Sequence, residues 1–528
     1  MVDTAKNGKA THSYGTDRYN SYEAYASFNK DFLRLHNINA VAGWSFSENY
    51  GDSFSADNAD FTVEGVGPWN LGEGADIKEG LASVASGKDS RQRLLAIFAR
   101  VNYSYDERYL FMASIRREGS SKFGSSNRFG NFWAVSGGWR INRESFLRDQ
   151  RWLNDLKIRV GYGVTGNNGI SAGLYTPVVG YYGDFPVNGE WIHAYGTKSS
   201  FNPDIKWEQK NEFNVGFDFS VFNNRLWGRF DWYHRRVNDL VYSALVPLPD
   251  YMYDHCYKNI GSLTNTGWEL ELGGTPVDIA GFRWNTTVRA FGNRSKISRL
   301  GDEGSYMNSS SLPAPGSPGS VSRISAGSQI GRYWLYRFAG FDENGKWQIY
   351  DNENNVVPAN STYLKAENRH YMGNAIPKVM LSWDNSFTYK NFDLGIQMHA
   401  WLDFDIYNAN AMYNGVRTKT GTNVLRDWYF DHPDVKDGDH VLTDYFMEDG
   451  TFLKIDAITL GYNLNLKKYT KYVDRARFYV TVRDVATFTH YSGYNPEVTA
   501  TGLFPGTEMP NIGYPQARRY TLGIQLNF

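Results

Sequence analysis

The stretch Ile205-Lys-Trp-Glu-Gln-Lys-Asn-Glu-Phe-Asn-Val-Gly-Phe-Asp-Phe-Ser-Val221 ends in a pattern with a period of two. Phe213, Val215, Phe217, Phe219 and Val221 fall on one face, and Asn214, Gly216, Asp218 and Ser220 on the other. Side chains alternate across a strand, so this segment is a strand that is apolar on one side only. Five alternating apolar positions span roughly 30 Å at about 3.3 Å per residue. Tilted by about 40°, they cover roughly 23 Å, close to the apolar band of about 25 Å around a transmembrane barrel. Nearer its start, Lys206, Glu208, Lys210 and Glu212 face Gln209 and Asn211. Both faces are polar there, and that half is expected to stand clear of the bilayer on the side of the long loops.

The same alternation recurs along the chain. Leu156, Ile158, Val160, Tyr162 and Val164 alternate with Lys157, Arg159, Gly161 and Gly163. Phe392, Leu394, Ile396, Met398, Ala400 and Leu402 alternate with Asp393, Gly395, Gln397, His399 and Trp401. Tyr520, Leu522, Ile524, Leu526 and Phe528 alternate with Thr521, Gly523, Gln525 and Asn527. The full reading places strands near 22–34, 36–49, 92–105, 108–118, 131–142, 153–165, 205–221, 225–242, 264–274, 281–296, 378–389, 391–405, 451–464, 476–489 and 517–528. Short connections such as Asp106-Glu107, Asn223-Asn224 and Lys390-Asn391 alternate with long ones near 50–90, 166–204, 243–262, 297–377, 406–450 and 490–516. Asn tolerates the positive φ of a tight hairpin turn. Short periplasmic turns and long extracellular loops are the asymmetry expected of an outer-membrane barrel. The predicted fold is therefore all-β, a transmembrane antiparallel β-barrel occupying residues 1–528.

Composition agrees. The 528 residues include 37 Tyr, 32 Phe and 16 Trp, yet the mean hydropathy is only -0.52. Alternating lipid-facing and lumen-facing residues produce that combination. No run of 18 apolar residues exists, which excludes a membrane-spanning helix. The net charge is -1 and the basic residues form no stripe, so no nucleic-acid partner is expected. Cys256 is the sole cysteine, so no intrachain disulfide can form. The opening residues contain no apolar segment of the kind a signal peptide carries.

Several motifs, in order and in register with the strands, resemble the TonB-dependent outer-membrane transporters of the SusC/RagA kind. They are Arg100-Val-Asn-Tyr-Ser-Tyr105, Arg116-Arg-Glu-Gly-Ser-Ser-Lys-Phe-Gly124, Leu156-Lys-Ile-Arg-Val-Gly-Tyr-Gly-Val-Thr-Gly-Asn167 and Asn259-Ile-Gly-Ser-Leu-Thr-Asn-Thr-Gly-Trp-Glu-Leu270. Phe452-Leu-Lys-Ile455 with Thr459-Leu-Gly-Tyr462, Tyr491-Ser-Gly-Tyr-Asn-Pro-Glu-Val498 and the C-terminal strand complete the set. The resemblance implies a barrel of 22 strands around an internal plug, of which about 15 are read here, corresponding to the last strands of the family. The seven earlier strands, the plug and the TonB-contacting segment find no counterpart in the reading. It implies import of oligosaccharides or peptides, a SusD-like surface lipoprotein over the extracellular mouth, and TonB acting through the plug. It also implies that the insertion machinery reads the terminal aromatic Phe528. An interfacial girdle aromatic is the plainer role for that residue. A self-closing passive porin or adhesin barrel is the alternative; a soluble glycan-acting β-protein would need a carboxylate pair at a pocket, and none is evident.

No enzyme and no cofactor are expected. The histidines show no metal-binding spacing. Asp342-Glu-Asn-Gly345 has its glycine at the fourth position of a would-be calcium loop, not the sixth, and reads better as a polar turn. Asp434, Asp437 and Asp439 read as a solvated acidic loop ahead of a cation site. Gly161, Gly163 and Gly166 have dinucleotide-type spacing but end a strand that enters a long loop, so small inner-wall positions are the better reading. Arg100, Arg116, Lys157, Arg159, Asp218 and Asp393, together with Arg229 and Asp231, face the lumen side; they either guide solute and contact a plug or neutralise one another. Aromatics in two loops suit sugar or peptide contacts, since ring faces stack on sugars. In 166–204, Tyr182, Trp191 and Tyr195 stand out, beside Tyr175, Tyr181 and Phe185; in 406–450, Trp428 does, beside Tyr429. Loop packing and contact with a lid subunit are the competing uses.

Overall fold

In the computed structural model, residues 8–63, 65, 69–301, 304–314, 316–415, 423–436, 438–467, 469–498, 502–510 and 513–528 are described. Fifteen antiparallel strands form one continuous sheet in chain order. They are β1 (Lys9–Phe32), β2 (His36–Ala59), β3 (Gln92–Tyr105), β4 (Tyr109–Ser120), β5 (Phe129–Arg140), β6 (Leu153–Asn167), β7 (Glu208–Val221), β8 (Leu226–Leu245), β9 (His255–Ile279), β10 (Phe282–Leu300), β11 (Val379–Tyr389), β12 (Phe392–Leu402), β13 (Phe452–Asn465), β14 (Arg475–Thr489) and β15 (Arg519–Asn527). A short strand, Ser83–Lys88, pairs with the far end of β2. Every strand expected from the alternation is present. Several run longer than expected: β1 starts at Lys9, and β9 spans His255–Ile279. These extensions have polar residues on both faces, so they carry no apolar stripe.

Register keeps the two faces apart. Phe217 lies between Ile158 and Phe230, whereas its neighbour Asp218 lies between Lys157 and Arg229. Across β12, β13 and β14, Leu394 meets Leu460 and Leu460 meets Val480. The outer face is thus a belt of exposed apolar and aromatic residues, among them Trp44, Ile97, Ile115, Phe217, Trp383, Leu460 and Leu522. Water would leave such a belt as a very large apolar patch, and hydrocarbon solvates it.

The rims differ. On one, most connections are short, 141–152 being the longest: Asp106 and Glu107, Asn223 and Asn224, and Ala280 with Gly281 adopt the positive φ of tight turns. On the other rim lie the described residues of 60–91, 168–207, 301–378, 403–451 and 490–518, with two shorter connections, 121–128 and 246–254. The last is cut down from the long loop expected at 243–262 because the flanking strands extend into it. The sheet is open in the described residues: β1 pairs only with β2, and β15 only with β14. In lipid each unsatisfied edge group costs several kcal/mol, so both edges call for strand partners.

Candidate functional site

The inner wall carries a ladder of ion pairs across adjacent strands. Arg159 on β6 grips Asp218 on β7 with two hydrogen bonds of 2.9 Å. It also reaches Asp231 on β8 at 2.9 Å. Lys157 bonds Asp218 at 2.9 Å, and Arg229 meets Asp231 at 3.1 Å. On the following strands Arg289 bridges Glu271 at 2.8 Å and Asp384 at 2.7 Å. Gly216 makes the crossing possible: a Cβ there would lie 2.4 Å from both the Arg159 guanidinium and the Asp231 carboxylate. Asp393 is held by Arg477 at 2.5 Å and by Asn463 at 2.6 Å. Arg116 forks onto Glu118 at 2.9 and 3.1 Å. Of the eight charges singled out from the sequence, seven therefore neutralise one another or a wall neighbour, and Arg100 alone makes no ion pair or hydrogen bond among the described residues.

The glycine series serves packing. A Cβ on Gly166 would meet the Phe132 ring at 2.0 Å, and one on Gly161 would meet the Asn214 amide at 2.6 Å. Phe132 belongs to a small core with Phe123, Val164, Ile205 and Trp207 where the wall rises above the membrane.

The long loops fold into a dome with its own core. Leu335, Trp347, Ile349, Tyr407, Met412, Leu442 and Phe446 are buried together there. Helix α1 (Ala409–Asn414) is capped by Asn408, whose side chain accepts the Ala411 N–H at 2.8 Å. Helix α2 (Arg426–Asp431) carries Trp428, which is only 5% exposed. Its ring stacks on His432 at 3.8 Å, and its indole N–H donates to Ser492 Oγ at 2.6 Å. The structure thus places Trp428 in the dome core and not on an open surface. Tyr429, next to it, makes an edge contact with Phe430.

Tyr182, Trp191 and Tyr195 are displayed openly, at 62%, 72% and 70% exposure. They sit on a projecting hairpin of Val179–Val187 and Glu190–Thr197. Register sets Tyr181 opposite Tyr195 and Pro186 opposite Trp191. Tyr253 donates its hydroxyl to the Thr197 carbonyl and pins the base of the hairpin. Tyr175 instead packs beneath, against the Phe123–Trp207 core.

The described residues of 490–518 join wall and dome as a strap, and sequence reading missed its anchors. Lys454 on β13, buried on the inner wall, bonds Glu497 at 2.5 Å and Gln516 at 2.7 Å. His399 on β12 bridges Glu497 at 3.0 Å and Asp456 at 2.7 Å. The His399 hydrogen bond, seconded by Lys454, holds the Glu497 carboxyl down at about 2. At the other end, burial raises the Glu508 carboxyl, which accepts a hydrogen bond from Tyr491. Tyr333 reaches the Gly506 carbonyl at 2.6 Å. Glu497 lies within the Tyr491–Val498 motif and Lys454 within the Phe452–Ile455 motif, and a charged residue of each sign inside two motifs was the signal available.

Asp342 accepts backbone N–H bonds from Asn344 and Lys346 at 2.9 and 2.8 Å, the geometry of a polar turn. Asp437 lies outside the described residues. Among the described residues no group of three or more His, Cys, Asp or Glu could hold a metal ion. Phe528 is exposed at the end of β15.

Comparison with known proteins agrees with this architecture. Residues 3–396 match the family described as TonB dependent receptor-like, beta-barrel. TonB-dependent receptor SusC of Bacteroides thetaiotaomicron is 30% identical over 455 residues, covering 83% of this chain and 44% of that protein. TonB-dependent receptor P3 of Formosa agariphila is 27% identical over 552 residues, covering 99% and 53%. The chain spans about half the length of the curated relatives it matches. A structure of the RagAB peptide importer in its closed-closed state superposes with a TM-score of 0.81 at 24% identity, over 98% of this chain and 56% of that one. With its lipid-facing belt, its unequal rims and these likenesses, the chain belongs to the TonB-dependent receptor β-barrel family, as a SusC/RagA-type barrel of the outer membrane.

Proposed function

We propose that this barrel wall serves the import of oligosaccharides or peptides across the outer membrane, within a TonB-dependent transporter. One observation carries the reading: a fifteen-stranded sheet with a lipid-facing belt outside and a charged, self-compensated wall inside, roofed on one rim by a packed dome. Such a wall bounds a polar conduit. It has no energy source of its own, so active transport requires a plug inside it on which TonB can pull. The wall alone is inactive in this reading.

Tyr182, Trp191 and Tyr195 supply exposed ring faces at the extracellular rim, where they suit stacking on a sugar or a peptide. Trp428 contributes from beneath, by holding the dome. A two-stranded hairpin is at best marginally stable in water by itself. The aromatic hairpin 179–197 is therefore also the surface best suited to a SusD-like lipoprotein lid. The wall charges, chiefly Arg159, Lys157, Asp218 and Asp393, present a near-neutral polar lining to solute or plug. Phe528, exposed at the last position, is available to the insertion machinery.

The test is uptake by cells that depend on this gene, measured with a panel of labelled oligosaccharides and peptides. Uptake of one class, abolished by a protonophore, supports energised import. Uptake that survives the protonophore points instead to a passive pore.

A further inference from the structure

Arg100 stands in a trough of the inner wall with a volume of about 470 Å3, together with Glu23, Tyr25, Phe98, Ser114 and Arg116. The register explains the grouping. Val41, Arg100 and Ser114 form one cross-strand row. The row beside it holds Tyr25, Gly43, Phe98 and Arg116. The row on the other side holds Asn29, Asn39 and Asn102. Gly43 leaves the space that Tyr25 fills, for a Cβ there would lie 2.7 Å from the Tyr25 Cβ.

The two guanidinium groups differ in one respect. Arg116 is engaged by Glu118 through two hydrogen bonds and lies in the field of Glu23. Arg100 has no ion pair, hydrogen bond or ring contact among the described residues, and it is exposed to the lumen side. An arginine fork matches a carboxylate in a bidentate, planar fashion. Tyr25 and Phe98 offer a flank on one side; the Arg116 guanidinium lies 5.8 Å from the Phe98 ring centroid, so a solute has room only on the part of that ring left open. The Asn39 and Asn102 amides, 3.5 Å apart, offer donors and acceptors on the other. Glu23 at the far end repels a second negative charge.

From this we infer that the β1–β4 trough is a carboxylate-binding subsite of the conduit, in which Arg100 holds the single carboxylate of a solute whose ring or apolar body lies on Phe98 and Tyr25. Uronic acid residues and the C-terminal residues of peptides share this chemistry. The inference rests on the import reading and adds a charge preference to it, whereas transport of neutral solutes through the same wall would leave that reading intact.

Equilibrium dialysis of the full chain, folded in detergent micelles, tests it with two matched pairs: glucuronate against glucose, and N-acetylphenylalanine against its amide. In at least one pair the carboxylated member binds about tenfold more tightly than its neutral counterpart, with a gain that fades as salt rises. The pair that shows the preference identifies the source of the carboxylate. R100Q abolishes the preference, R100K keeps only part of it, and R283Q, on a pair near the short rim, retains it. Heat-modifiable gel migration verifies that each variant is folded. Equal binding within both pairs, no binding of any probe, or an unchanged preference in R100Q overturns the subsite.

Discussion

Asn259 pairs with the backbone of Lys206 as a strand would: its side-chain carbonyl accepts the Lys206 N–H at 3.0 Å, and its amide donates to the Lys206 carbonyl at 2.9 Å. The same amide donates to the Asp239 carbonyl at 2.7 Å, where β8 carries a bulge and Asp239 adopts a φ of 57°. One side chain thereby completes the pairing of a loop that has left the sheet and of a strand that has bent away from it. Asn259→Ala removes three hydrogen bonds to backbone groups and should cost about 1–3 kcal/mol. Hydrogen exchange checks it: the Lys206 amide should exchange faster in the variant, while amides in the middle of β7 stay protected. Asn259→Asp keeps the acceptor but turns a carboxylate oxygen toward the Lys206 and Asp239 carbonyls, so at neutral pH it should destabilise at least as much as Asn259→Ala.

The ladder around Asp218 makes a second expectation. Asp218→Asn leaves Arg159 and Lys157 facing a neutral amide on a wall that shields them partly from water, at a cost of about 2 kcal/mol. Adding Arg159→Gln removes the stranded charge, so the double variant should be more stable than the sum of the two single losses, by about 1–3 kcal/mol. Gly216→Ala should weaken the same ladder without touching a charge, because its methyl occupies the space between the Arg159 and Asp231 side chains. Thermal unfolding in micelles reads all four proteins. Strictly additive losses would show that the pairs act independently.

These contrasts mark what could be read beforehand. Strands such as β7 and β15 were legible because lipid on one side and water on the other impose a period of two on the side chains. That imprint ends at the membrane boundary, so the polar beginnings of β1 and β9 were not seen. The loops were harder for a different reason. An aromatic in a loop looks the same in sequence whether it is displayed, like Trp191, or packed, like Trp428. Only the long-range contacts of the dome, with Ser492 brought from another loop to the Trp428 indole, distinguish the two. For the inner wall, neighbours on nearby strands decide how Arg159, Asp218 and Asp393 are spent, and these lie far apart in sequence. Arg116 is the exception, since its partner Glu118 stands two residues along its own strand.

Acid should loosen the strap. The Glu497 carboxyl is held near 2, below the ordinary glutamate value, by His399 and Lys454, with Asp456, Asp484 and Gln516 around the same two partners. A carboxyl depressed by folding contributes stability that is whole above its unfolded value. That contribution declines as pH falls below the ordinary glutamate range and is gone once pH passes below about 2. Between those limits, the protection of the Tyr494, Asn495, Glu497 and Val498 amides, corrected for the intrinsic pH dependence of exchange, should fall progressively. Glu497→Gln should show low protection already at neutral pH, with a protection factor that depends much less on acid. An unchanged profile in that variant would assign the pH effect to other groups.

Trp428 and Trp191 provide the sharpest separation of scaffold from surface. Trp428→Ala leaves a void between His432, Phe446 and Ser492 in the dome core and should cost about 3–5 kcal/mol. Protease should then cut the 426–450 segment, with the transmembrane belt untouched. Trp191→Ala removes a ring that is 72% exposed and should leave unfolding within about 0.5 kcal/mol of the parent. If the hairpin serves a solute or a lid protein, the same substitution should still reduce binding of that ligand, since a stacked ring is worth about 0.5–1.5 kcal/mol beyond its buried area. A Trp191 variant with full stability and full binding would remove Trp191 from the recognition surface, and the same result with Tyr182 and Tyr195 also replaced by Ala would remove the hairpin.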